Sequence, residues 1–423
     1  GLTVDADAIG GFGVTGGAGT GGIATARTLS GGAITVQGGT QLFRADGLGG
    51  EGNNGGGNGA GGTAGAEARA GTIEFRGTSA TARATGSGGR SNQTMDGAPG
   101  GNGVGGTAFF LAGGGSVVNT SLQIQNDALL LASGRGGDAV PFGVVGGNGF
   151  GGEALITASD LGSVTIGRNA TVRADADAGG STSFDSFALA DAGLARILAD
   201  RSGEILIGGI TTLDARANNL PFAGQNSEGT GATGLGGVAL ATVTRGGTIT
   251  MENALVASAT GAGGNGVNGG DGFGGVAGAD ALEGTIAIAS LAQAISRGFG
   301  GGAALFNGGR GGDGTGGTAV FRASGTLLAP ASLTIGAGVL MSAFGIGGNG
   351  GSSDGSDFAG GRGGDGFGGS ASLPNQADET FDGGVYLVAG GDNGTLSVGG
   401  TANINASGTG GRGGEAAGFR EAG

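Results

Sequence analysis

The sequence predicts an all-β chain wound as a parallel β-helix, a β-solenoid of about nine to ten coils with glycine-rich loops on one corner, forming a single continuous unit over residues 1–423. Three observations predict it: a composition rich in glycine yet still apolar, a recurrent glycine string, and a second apolar register with the same period. The 115 glycines stand beside only 5 prolines, which excludes collagen, where a strict triplet needs abundant proline. Apolar residues make up 37% of the chain and charged residues 12%, the reverse of the balance that keeps a chain disordered.

The glycine string is GGxGxGG. It begins at Gly16, Gly56, Gly100, Gly146, Gly269, Gly311 and Gly363, with a weaker copy over residues 231–237 in which Ala232 replaces one glycine. The interval of 85 residues before Gly231 is about twice the others, so one copy near residues 180–195 is expected to have lost its glycines. The second register is a short strand in which two apolar residues flank one outward position: Ile34 and Val36, Ile73 and Phe75, Leu122 and Ile124, Val164 and Ile166, Ile205 and Ile207, Ile249 and Met251, Ile286 and Ile288, Leu333 and Ile335, Leu396 and Val398. The fifth pair falls inside the double gap and recovers the missing repeat.

Two further alternating segments accompany each pair. One follows the glycine loop, as in residues 107–111, and one follows the pair, as in residues 170–174. Period-two alternation bounded by Gly and Asn is a strand signal, and no stretch carries a capped helical stripe. Three short strands and a loop per repeat make one turn of a coil, and turns stacked ~4.8 Å apart align each inward residue with its counterpart in the next. The aliphatic stacks, with roughly 1.5–3 kcal/mol for each buried side chain, are expected to hold the fold. The loop glycines are expected to supply left-handed backbone and close loop stacking.

Absent residue types exclude much chemistry. There is no Cys or His, and all 19 basic residues are Arg, so Cys/His zinc sites, Ser-His-Asp or Cys-His nucleophiles and Schiff-base lysines have no carrier. A formal charge of −14 without an Arg cluster argues against nucleic acid, and no apolar run is long enough to insert into a membrane. The chain starts like the last strand of a repeat and ends like the opening of another, as a segment of a longer polypeptide would.

Units such as Gly162-Ser163-Val164-Thr165-Ile166, followed by Ala170-Thr171-Val172-Arg173-Ala174, resemble the glycine-rich β-strand repeats of autotransporter passenger regions and filamentous-haemagglutinin-like bacterial adhesins. The resemblance covers nearly the whole chain through motifs of low specificity. It implies a right-handed solenoid, a place outside the cell or on the bacterial surface, and a role in adhesion, biofilm or a surface coat. Further copies of the chain, end to end or side by side, and surface glycans are the partners it implies.

Three sets of residues are candidates for function. The third position of the loop holds Asn58, Asn102 and Asn148 and then Asp271, Asp313 and Asp365. Asx-turns explain such residues, and the three aspartates are also a candidate Ca²⁺ site, because like charges ~5 Å apart would repel. The string is similar to the calcium-binding GGxGxD nonapeptide, although the sixth position here is glycine. At the fifth position Phe150, Phe273 and Phe367 are candidates for an apolar interaction ridge. Paired carboxylates such as Asp175 with Asp177, or Asp378 with Glu379, would be needed by a carbohydrate-degrading β-helix, the alternative to a structural role. Without His or Lys to move protons, and with one Tyr and no Trp to stack on sugars, no enzymatic function is expected. The outward positions within the apolar pairs, read as one row, run from Thr35 through Glu74 and Leu206 to Ser397 and are too irregular to match a crystal lattice.

Overall fold

A computed structural model describes residues 1–29, 31–92, 98–114, 120–139, 144–180, 188–218, 231–303, 309–352, 361–369 and 384–413. The described residues hold strands and no helix. Every strand pairing is parallel, and each strand pairs with the equivalent segment of the next repeat. Three sheets of nine strands and one of 18 result, which is the stacked-turn architecture of a parallel β-solenoid.

One repeat shows the path of the chain. A short strand at Gly59–Ala60 leads into Thr63–Ala68, then Gly71–Phe75, Ser79–Arg83 and a second short strand at Gly86–Ser87. The three longer strands are those the alternation predicts. The two-residue strands were hidden in what the sequence presents as loop. The repeat that lost its glycines is present: Leu189–Asp191 takes the place of the first short strand, followed by Leu194–Asp200 and the pair strand Glu204–Ile207.

The apolar pairs point inward as expected. Ile73, Phe75, Leu122, Val164, Ile166, Ile249, Met251 and Leu333 are fully buried, and the register stacks Ile73 on Ile34 and Leu122. Much of the rest of the core is alanine. Ala64, Ala108, Ala154, Ala195, Ala239, Ala277 and Ala319 form one buried column, and Ala45, Ala84, Ala132, Ala174, Ala215 and Ala259 are buried in successive turns at the opposite wall. Methyl-sized side chains on two walls keep the coil thin, while larger residues from the pair strands fill the space between. Phe43 and Phe75 meet there with ring centroids 5.9 Å apart.

Beside this core, each repeat runs outward and returns, so that two layers of backbone face each other as a blade. The outgoing layer includes Gly47–Leu48 and Gly49-Gly50, and the returning layer is the GGxGxGG string itself. Hydrogen bonds zigzag across the blade from turn to turn. Gly50 N–H donates to Gly17 O, Gly57 to Gly50, Gly89 to Gly57, Gly101 to Gly89, Gly137 to Gly101 and Gly147 to Gly137, all at 2.7–2.9 Å. The zigzag resumes at Ala232 O and runs through Gly264, Gly270, Gly301, Gly312, Gly348 and Gly364 to Gly411. Nearer the core, a second set joins Gly62 N–H to Ala45 O, Gly106 to Ala84 and Gly152 to Ala132 at 2.6–2.7 Å.

This geometry explains each letter of the string. An ideal Cβ on Gly56, Gly57, Gly59, Gly61 or Gly62 would stand 1.8, 2.1, 2.0, 2.4 or 2.0 Å from a carbonyl oxygen, so positions 1, 2, 4, 6 and 7 admit no Cβ in this repeat, while Ala190 and Ala232 place methyl groups at positions 4 and 2 of two other repeats. Positions 3 and 5 face away from the opposing layer and carry the variable residues. Close approach, and not left-handed backbone, is therefore the reason for glycine here. The left-handed glycines are elsewhere, at sites such as Gly38, Gly114 and Gly246, with Gly55 in a blade loop as an exception.

The turns between the strand after the blade and the pair strand also stack. Asp160-Leu161, Arg201-Ser202 and Arg245-Gly246 all have positive φ, with Arg201 paired to Asp160 at 3.3 Å and Arg245 to Asp200 at 2.6 Å. Leu161 holds φ 63° while 60% exposed, and so accepts backbone strain without gaining burial.

Two measurements follow from this arrangement. Gly89→Ala, whose Cβ would stand 2.0 Å from Gly50 O, is expected to lower stability by ~1–3 kcal/mol or more, whereas Gly11→Ala, with nothing within 4 Å, is expected to be silent. Equal denaturation midpoints for the two variants would contradict the interlocked blade. Leu161→Gly is expected to raise stability by a few tenths to ~1 kcal/mol, read as a higher denaturation midpoint, by relieving the left-handed strain.

Candidate interaction surface of the blade

With their inner faces closed, the two layers of the blade present chemistry only through outward side chains. On the returning layer, position 3 forms a ladder of side-chain oxygens. Asn58 Oδ1 accepts the N–H of Asn102 at 2.8 Å, Asn102 Oδ1 that of Asn148 at 2.9 Å, and Asn148 Oδ1 that of Leu189 at 2.8 Å. The aspartates continue the same pattern. Asp271 Oδ1 accepts from Asp313 N–H and Asp313 Oδ1 from Asp365 N–H, both at 2.7 Å. Asn58, Asn102, Asn148, Asp271 and Asp313 thus each reach forward to the next turn instead of folding back into their own loop.

The structure stacks Asp271, Asp313 and Asp365 in successive turns, as the sequence places them. Their mutual repulsion, the ground for considering a cation, is met by protein groups. The Arg310 guanidinium pairs with Asp313 at 2.7 Å and that of Arg362 with Asp365 at 2.8 Å, while backbone N–H groups engage Asp271 and Asp313. Among the described residues, no group of three or more Asp or Glu side chains is arranged to hold a metal ion.

Phe150, Phe273 and Phe367 share one register line at position 5, but they do not meet. The line reads Ala60, Val104, Phe150, Asp191, Leu235, Phe273, Thr315, Phe367, so Asp191 and Thr315 interrupt a continuous ridge. Phe273 is 37% and Phe367 52% exposed, and Phe150 is half-buried. A second aromatic group, not evident in the sequence, lies on the outgoing side. Phe299 and Phe344 meet edge to face at 6.0 Å, and the Arg297 guanidinium lies 4.6 Å over the Phe344 ring. Arg297 stands directly opposite Phe344 and Phe299 two positions further along, so only the register between neighbouring turns brings the three together.

Asp175 and Asp177 lie where the outer wall of the coil enters the blade, among arginines. Arg173 pairs with Asp175, Arg216 pairs with Asp214, and the Arg216 N–H donates to Asp175 Oδ1 at 3.2 Å. Burial pushes the Asp175 carboxyl up from its ordinary value, the charge of Asp214 adds to that rise, and Arg173 opposes it. Burial likewise raises Asp177, against the pull of Arg135 and Arg173, and raises Asp191 on the other layer. These contacts make Asp175 part of an ion network linking turns. Asp378 and Glu379 lie outside the described residues.

The raised carboxyls have a definite consequence for pH. A carboxyl that binds its proton more tightly in the folded than in the unfolded chain contributes least favourably near neutrality, and its contribution improves as pH falls through the raised value. Asp175→Asn is expected to remove that improvement, so the variant's denaturation free energy, taken relative to the parent's, should fall between neutral pH and the acid side of the carboxylate range. Parallel profiles for the two proteins would contradict a buried, proton-holding Asp175. No protein-family model, curated protein or solved structure matches this chain.

Proposed function

We propose that this chain is an extracellular structural and adhesive β-solenoid, right-handed and of nine to ten coils, that forms part of a bacterial cell-surface fibre or coat. The observation that carries this reading is the continuity of the backbone lattice: ladder bonds link turn to turn in all four sheets, and the zigzag binds the blade from Gly11 to Gly179 and again from Ala232 to Gly411. Such a lattice is stiff along its axis because bending it stretches hydrogen bonds in several sheets at once. A net charge of −14 keeps the rod dispersed, and the variable positions 3 and 5 of the blade supply the lateral contacts, with Phe273 and Phe367 as the anchors nearest the surface. Copies of the chain, side by side or end to end, and surface glycans are the partners that suit this surface.

The test is electron microscopy of the native material with and without a calcium chelator. Unbranched fibres with a ~4.8 Å axial repeat that survive the chelator are expected. Compact particles would overturn the fibre, and release of reducing sugar from surface polysaccharides would replace it with the carbohydrate-degrading alternative. Dissolution of the fibres by chelator would instead assign Asp271, Asp313 and Asp365 to a metal.

A further inference from the structure

The sheet built on the apolar pairs has one face in the core and one outside. The outer face carries two rows, because the residue before each pair is also outward. Over the last four strands, Thr248, Thr285, Ser332 and Thr395 form one row, and Thr250, Ala287, Thr334 and Ser397 the other. Seven of these eight positions bear a hydroxyl. The earlier part of the same face is broken by Glu74, Gln123, Glu204 and Leu206. A single row therefore conceals the order that the register reveals in these four strands.

Four features set this strip apart. Neighbouring strands stand ~4.8 Å apart and alternate residues along a strand ~6.6 Å apart, so the outward positions form a regular grid of those spacings. Fully buried or half-buried pairs, from Ile249 and Met251 to Leu396 and Val398, fix the strands beneath it. No residue of the strip is charged on a chain whose net charge is −14; the charges lie at its borders, with Glu204 on the neighbouring strand and Arg245, Glu252, Glu283 and Asp392 at the strand ends. Beyond the second row Glu252 stands at the first strand, and only the small residues Ala289, Gly336 and Gly399 follow it on the next three.

The hydroxyls also lack protein partners among the described residues. Elsewhere on the molecule outward threonines are engaged: Thr40 with Thr78 at 3.3 Å, Thr85 with Asp46 at 2.7 Å, Thr244 with Asp200 at 2.6 Å. Thr285, Thr334, Thr395 and Ser397 are exposed, so their hydrogen bonds go to water, and the grid fixes where those waters sit.

We propose that this strip, a grid of unpaired hydroxyls and threonine methyls held in register by the coil, is an ice-binding face. Hydroxyls at regular spacing anchor waters in a lattice-like layer, and the methyls between them favour ordered water over disordered water. A crystalline polysaccharide is the less suited occupant, because the strip holds no aromatic ring to stack on a sugar. The inference does not depend on the adhesive reading.

The test uses the full chain, labelled at its α-amino group, which is the only amine in a protein without lysine. Slowly grown ice is expected to take up the protein, and recrystallisation of a frozen sucrose solution to be inhibited. The double variant Thr285→Arg/Thr334→Arg, which adds no amine, is expected to lose at least tenfold in uptake, while Thr171→Arg, on the outward face of the strand Ala170–Arg173 in a different sheet, behaves as the parent. Thermal melts of the variants keep a folding defect distinguishable from lost binding. Exclusion of the parent protein from ice, or equal uptake of the folded double variant, would overturn the proposal. Exclusion from ice with retention on crystalline cellulose would overturn it in favour of a polysaccharide.

Discussion

The hydrogen bond from Gly57 N–H to Gly50 O, 2.8 Å long, holds two layers of backbone at a separation in which no Cβ fits. Repeated up the rod, that contact dictates most of what is unusual about the chain. It accounts for glycine at five positions of the string and leaves most sequence variation to positions 3 and 5, with Ala190 and Ala232 as methyl-sized exceptions. It also explains why the blade needs no hydrophobic interior. An ordinary sheet sandwich separates its layers by ~10 Å and fills the gap with side chains. Here the layers bond directly, and each contributes peptide groups both along the axis and across the blade. A backbone group left unpaired in so closed a space would cost ~1–3 kcal/mol, so the zigzag must be complete where it runs.

The coil and the blade divide the work. In the coil, alanine columns such as Ala64 to Ala319 set a narrow bore, and the Ile, Val, Leu and Met pairs supply the apolar area that drives folding. In the blade hydrogen bonding dominates, and apolar burial is limited to a few methyl groups such as those of Ala176, Ala190 and Ala217. Where the two meet, buried Ala45, Ala84 and Ala132 give their carbonyls to Gly62, Gly106 and Gly152. The same residues therefore close the core with their methyl groups and open the blade with their oxygens.

The pair strands were legible in the sequence because β-branched and aliphatic residues at i and i+2 recur at each turn, and the repeat around Ile205 could be placed without its glycines. The blade was legible only as a string. Its cause was not, since glycine chosen for close approach and glycine chosen for left-handed backbone look alike in sequence, and Gly56 and Gly38 differ only once neighbours are known. Alanine was underweighted in the core because it alternates with threonine, serine and arginine in strands that read as half-polar. The Asx ladder, the Phe299–Phe344 contact and the double row of hydroxyls all join residues about forty positions or more apart, and become visible only with the register.

A contact made only of peptide groups has no preference among partners of the same kind. The bond between Gly89 and Gly57 is the same bond as that between Gly301 and Gly270, and nothing at either joint identifies which repeat it belongs to. Whole repeats can therefore be duplicated, deleted or exchanged by recombination with little need for compensating substitutions along the blade. Selection on length is thereby uncoupled from selection on surface chemistry, and a chain of this kind can adjust its reach by copy number while positions 3 and 5 diverge repeat by repeat.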